Sequence, residues 1–187
     1  TLFFVYGLAY TRSRISINSL LLAGVAVSYF LASVISFLMM LNHEKIDHIV
    51  FWTMGSFSMA TWNEFGISSI IILPSLAVLF FYTRELNMLV MGEDAARHLG
   101  VNTAALKNIL LITSALIVGG VVSTGGTIAF LGLVAPHIIR LVIGSDNKRV
   151  IPYSALLGSI LLVLSDTVGR ILSQPAEIPV GVMTSIM

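Results

Sequence analysis

Ser19 to Leu41 is a run of 23 residues without a charged side chain. As a helix it would be about 34 Å long at 1.5 Å per residue, enough to cross a hydrocarbon core about 30 Å thick. Such a run constrains the fold more than any motif. In lipid every backbone N–H and C=O must find its partner inside the protein, and only helices and closed barrels arrange this. The remainder of the chain agrees. Hydrophobic residues make up 57% of it and charged ones 10%, against roughly 45–50% and 25% in soluble domains. The expected class is an all-α polytopic membrane protein. A formal net charge of +1 excludes a basic nucleic-acid footprint, and the absence of cysteine excludes disulfides and thiolate metal sites.

Other apolar runs fit the same scheme. Gly66 to Tyr82 reads as a span with Pro74 inside it, and Ile151 to Val168 as another with Asp166 and Arg170 at its outer end. Thr1 to Tyr10 reads as the end of a span closed by Arg12 and Arg14, and Pro179 opens a last one after the turn Ser173 to Ile178. The chain is therefore expected to be a fragment, lacking spans before Thr1 and most of its final span. Ile49 to Trp62 is a 14-residue apolar run that would reach only about 21 Å as a helix. Within an external segment 42–65 it predicts an interfacial or re-entrant helix, with Trp52 and Trp62 at headgroup depth.

From Ile109 to Ile139 the only titratable residue is His137. The stretch is either one very long helix or two spans joined at Gly119, Gly120, Ser123, Thr124, Gly125 and Gly126. Charge placement decides between them. With two spans, one side carries Arg12, Arg14, Arg84, Arg97, Lys107, Arg140, Lys148 and Arg149, and the other only Lys45 and Arg170. With one span the asymmetry nearly vanishes. The positive-inside rule favours two, giving seven spans or partial spans, three cytoplasmic connections and three external ones.

Thr83 to Asn108 is a polar island on the cytoplasmic side, with Arg84, Glu85, Glu93, Asp94, Arg97 and Lys107. Acids follow Gly92 and bases precede Gly100, which is the punctuation of a short helix. About two turns are too few to be stable alone, so the helix needs a surface to lean on.

The other candidate chemistry has plainer readings. His43, Glu44 and His48 form HExxxH, whereas zinc binding needs the histidines four apart on one helical face, so a solvated loop is the expectation. Asp166 near a membrane end could relay protons, but Arg170 lies on the same helical face and an ion pair is the simpler outcome. His137 after Pro136 reads as a packed side chain, and the eight methionines as apolar filler. No GxxxxGK[ST] is present, nor a Ser, His and Asp set.

Five segments in order, LLLAGVAVS, FWTMGSFS, NMLVMGEDAARHLGV, GGTIAFLGLVAPHIIRL and DTVGRI followed by PAEIPVGV, resemble the permease subunit of the ABC importers for iron-siderophores, haem and cobalamin. The resemblance covers essentially the whole chain. It implies a ten-span permease bundle in a prokaryotic plasma membrane, working as a homodimer, with no catalytic residue, resident metal or cofactor of its own. The present chain would then lack roughly the first three spans. Gly92, Glu93, Asp94, Ala95, Ala96, Arg97, His98, Leu99 and Gly100 resemble the coupling helix that docks on a cytoplasmic ATP-hydrolysing subunit, within a coupling segment 84–107. Arg170 resembles an external arginine that meets an acidic residue of a soluble substrate-binding protein. Ser19 to Leu41 resembles a helix lining the path. The alternative from composition alone is an ion-gradient-driven secondary transporter using Asp166.

Overall fold

A computed structural model describes residues 17–42, 46–58, 60–172 and 178–186, with side chains from residue 21 onward. Among the described residues every regular element is a helix. They are α1 (Ile17–Leu41), α2 (Ile46–Met54), α3 (Trp62–Phe81), α4 (Thr83–Val90), α5 (Glu93–His98), α6 (Thr103–Gly125), α7 (Leu131–Ile143), α8 (Asn147–Leu172) and α9 (Val180–Ile186). The chain divides into two compact units between Val50 and Phe51.

In the first unit, α1 carries the uncharged run. Its serines do not leave polar groups loose: Ser28, Ser33 and Ser36 donate to the carbonyls of Gly24, Tyr29 and Ala32 at 2.8, 2.9 and 3.0 Å. Hydroxyls folded back on their own helix leave an outer surface fit for lipid.

Among the described residues four helices are long and apolar enough to cross a membrane: Leu21–Leu41, Trp62–Phe81, Thr103–Gly125 and Asn147–Leu172. At most 17% of the most apolar window of any of them is buried. Outward side chains of these helices, such as Phe81, and of α7, such as Leu133, would be costly to leave in water and suit lipid or neighbouring helices. Inside the second unit α3 packs on α6, and α8 packs on both α7 and α9. Gly120 sets the first approach, since a Cβ there would lie 3.0 Å from Ile72 Cγ1.

α3 begins at Trp62, four residues before the expected Gly66, and Trp62 is its first residue rather than the end of the preceding run. The cause is a capping box. Thr61 Oγ1 accepts from Glu64 N–H at 3.3 Å, and Glu64 Oε2 accepts from Thr61 N–H at 3.0 Å. The preceding run is correspondingly short, with α2 only nine residues long.

The stretch 109–139 does divide, but later than the glycine cluster suggested. α6 continues through Gly119 and Gly120 to Gly125, the chain leaves helix at Gly126, and α7 starts at Leu131. α7 has 13 residues and spans about 20 Å, too little for a full crossing. Residues 126–130 are irregular backbone, with positive φ at Gly126 and at Phe130, so the second crossing is broken into an irregular part and a helical part.

Candidate functional site

Irregular backbone at membrane depth is tolerated only where protein satisfies it. Here three stretches meet backbone to backbone: the end of α2, the break after α6 and the start of α9. Ser56 N–H donates to Gly125 O at 3.1 Å, Gly181 N–H to Gly55 O at 3.1 Å, and Thr127 Oγ1 to Thr53 O at 2.5 Å. Glycine is required at these crossings. A Cβ on Gly126 would lie 1.9 Å from Trp52 O, and one on Gly181 2.0 Å from Met54 O. At the far side of the break Phe130 has φ 68° and ψ −44°, with Leu131 N–H bonded to Ala129 O at 2.8 Å. That is a γ-turn of positive φ, a rare and strained conformation. Phe130 is the one non-glycine residue of positive φ among those described.

The opposite end of the unit, one length of α6 away, carries the island. α4 is followed by Gly92 at φ 115°, then by α5 with Glu93 and Asp94 in its first turn and Arg97 and His98 in its last. Gly100 at φ 87° closes α5: its N–H bonds Arg97 O at 3.0 Å, and Val101 N–H bonds Ala96 O at 3.0 Å. This pair of bonds is a Schellman cap, and it needs a left-handed residue at Gly100.

α5 also leans on its own chain, which the sequence did not show. Ala96 is fully buried, and Glu93 accepts from Arg97 at 2.8 Å, from Thr103 at 3.3 Å and from Lys107. Thr103 Oγ1 in turn accepts from Arg97 Nε at 3.0 Å. The Lys107 hydrogen bond, joined by the charges of Lys107 and Arg97, holds the Glu93 carboxyl below its ordinary range against the opposing effect of desolvation. These groups are substantially exposed, so the cluster fixes the position of α5 more than it stabilises the fold. Asp94, Arg97 and His98 face solvent together with Val90, Met91 and Leu99, which are 69%, 73% and 58% exposed. A cleft of about 480 Å³ opens alongside, lined in part by Tyr82, Glu85, Met88, Leu99 and Asn102.

A second connection meets the island. Asn87 of α4 donates through Nδ2 to Asp146 at 2.7 Å and accepts through Oδ1 from the backbone and side chain of Asn147, at 2.9 and 2.8 Å. The Asn87 amide and then the Lys148 N–H hold the Asp146 carboxyl low. Arg84, Arg97, Lys107, Arg140, Lys148 and Arg149 therefore belong to one end of the unit, the end that the positive-inside rule assigns to the cytoplasm.

Asp166 and Arg170 form an i,i+4 ion pair, Nε to Oδ2 at 2.8 Å, near the other end of α8. His48 lies in α2, whereas His43 and Glu44 lie outside the described residues, as do Thr1 to Tyr10, Arg12, Arg14 and residues 173–177 of the external turn. Among the described residues no three His, Asp or Glu side chains are grouped to hold a metal.

The profile of the FecCD transport family matches residues 1–187. The chain belongs to the FecCD transport family. It is 40% identical over 175 residues to YvrB, an uncharacterized ABC transporter permease protein of Bacillus subtilis (strain 168), covering 94% of this chain and 50% of that protein. It is 38% identical to the hemin transport system permease protein HmuU of Yersinia pestis, over 90% of this chain and 51% of that one. With the cobalamin import system permease protein BtuC of Halobacterium salinarum it shares 37% identity, over 99% and 50% respectively. A solved chain described as an inward-facing, metal-chelate type ABC transporter superposes with a TM-score of 0.89 at 30% identity, over 100% of this chain and 59% of that one. The chain spans about half the length of the curated relatives it matches. As a FecCD-family chain it is a multi-pass membrane protein.

Sequence reading missed Asn87, Asp146, Asn147 and the Glu93–Thr103–Lys107 cluster, because each joins groups far apart along the chain. It also left Gly55 and Gly181 without a role. One local signal was present: Asp146 opens the helix that begins at Asn147, as a capping residue does.

Proposed function

We propose that this chain is the membrane-spanning part of an ATP-driven importer permease, carrying a metal chelate handed over by a soluble binding protein. The relatives' names support a haem, cobalamin or iron-siderophore cargo, and an iron-siderophore is the first to test. The observation that carries the reading is α5. It is a six-residue helix outside the spans, closed at its C-terminus by the Gly100 cap and tethered by Glu93, with Met91 and Leu99 exposed beside Asp94, Arg97 and His98. Apolar side chains on a water-facing surface call for a protein cover. A cytoplasmic ATP-hydrolysing subunit provides it, with Gly92 to Gly100 as the docking helix. Two permease copies enclose the path, α1 lines it, and Arg170 faces the binding protein at the outer end. ATP binding closes the two partner subunits, moves both docking helices and switches a central cavity between outward and inward access.

The test is reconstitution of the full-length protein with candidate ATPase subunits in liposomes. Loaded binding proteins carrying a ferric siderophore, haem or cobalamin are then compared for stimulation of ATP hydrolysis and uptake. One cargo class should stimulate both. Uptake driven by an ion gradient without any ATPase subunit would refute the proposal.

A further inference from the structure

α4 packs against α3 and α5 and also against α8. Its contact with the start of α8 is polar and has a single register. The Asn87 amide uses both of its ends, Nδ2 donating to the Asp146 carboxylate and Oδ1 accepting twice from Asn147. Asn147 is buried, and its own Oδ1 accepts from Arg140 in the last turn of α7 at 3.2 Å. Asp146 Oδ1 also accepts from Lys148 N–H at 3.1 Å. One side chain on α4 thereby holds the first residues of α8 and, through Asn147, the end of α7. A carboxamide donates from one terminal atom and accepts at the other, which a carboxylate or an ammonium group cannot do. Apolar helix contacts can slide past one another, whereas bonds converging on one amide must move together.

We infer that Asn87 is a positioning residue that transmits displacement of the docking helix to the α7–α8 hairpin, so that motion entering at α5 reaches the broken crossing. The inference rests on the proposed coupling role of α5. It makes the turn between α7 and α8 a driven part of the mechanism, although that turn is not itself part of the docking helix.

The test uses the full-length permease in its assembled complex in liposomes, and the readout is uptake per ATP hydrolysed. Asn87→Asp preserves shape, removes the donor and sets a second carboxylate against Asp146. The ratio should fall about tenfold, with membrane level and ATPase association unchanged. A merely structural role would lower protein level and leave the ratio alone. Spin labels at Arg84→Cys, on α4 outside the docking helix, and Ser145→Cys, in an otherwise unchanged background, give a measurement independent of the Asn87 variant. Their separation should stay constant between ATP-free and ATP-bound states. The inference is overturned alone if wild type shows ATP-driven uptake while Asn87→Asp keeps the wild-type ratio or the labels separate by several ångströms. If wild type shows no ATP-driven uptake, the coupling role of α5 falls and this inference with it.

Discussion

Gly126→Ala should be among the most damaging single substitutions in the chain. The added Cβ would lie 1.9 Å from Trp52 O and 3.2 Å from Gly55 Cα, so the segments must part by about 1.5 Å to reach ordinary contact. Ser56–Gly125, Gly181–Gly55 and Thr127–Thr53 are the bonds that cross this point. A buried polar group left without its partner costs about 1–3 kcal/mol. Gly126 also has φ 69° and ψ −160°, a region nearly closed to other residues at about 1–3 kcal/mol. The expected loss is at least about 4 kcal/mol. Gly119→Ala is the control, inside α6 with nothing within 4 Å of its new Cβ, and it should be neutral or stabilising by up to about 1 kcal/mol. The assay is thermal retention of the full-length protein in detergent, followed by size-exclusion chromatography of the fluorescently tagged variants. A Gly126→Ala protein that accumulates and melts within about 1 kcal/mol of the Gly119→Ala control would refute the backbone-crossing account.

Met91→Asp with Leu99→Asp changes exposed side chains, so it should leave the permease in the membrane while weakening ATPase-subunit binding at least about tenfold in a pull-down titration. Arg97→Glu is the poorer probe, because it also breaks the pair with Glu93. Glu93 gives a pH signature. Its carboxyl is lowered on folding, so its contribution is present above the ordinary value of 4.5 and is lost as pH falls through the lower folded value. Amide-exchange protection across residues 96–101, corrected for intrinsic rates, should therefore hold from neutral pH to about 5 and decline below it, and Glu93→Gln should abolish that dependence. Asp166→Asn removes one half-exposed ion pair, worth about 0–1 kcal/mol, and should leave uptake ATP-driven; abolished uptake would revive the ion-coupled alternative.

What could be read from the sequence was whatever local chemistry determines. Long apolar runs announced α1, α3, α6 and α8, and Gly92 and Gly100 bracketed α5 correctly because acids, bases and left-handed glycine are local signals. The start of α3 was legible too, in Thr61 and Glu64, but the aromatic run across Trp62 hid it. The break at Gly126 was not. Gly119, Gly120, Gly125 and Gly126 look alike in sequence, and what separates them is a neighbour: Trp52 at Gly126, Phe57 at Gly125, Ile72 at Gly120 and nothing at Gly119. The same holds for Asn87, whose partners stand about sixty residues further on.

The broken crossing also imposes an order of synthesis. Residues 126–130 emerge from the ribosome after Thr53 and Gly55 but before Gly181, whose N–H occupies the Gly55 carbonyl. Until α9 is made, that carbonyl is without its final partner. A nascent chain stalled before Pro179 would therefore leave the Gly55 carbonyl unpaired, and the Gly181 N–H is what removes that defect.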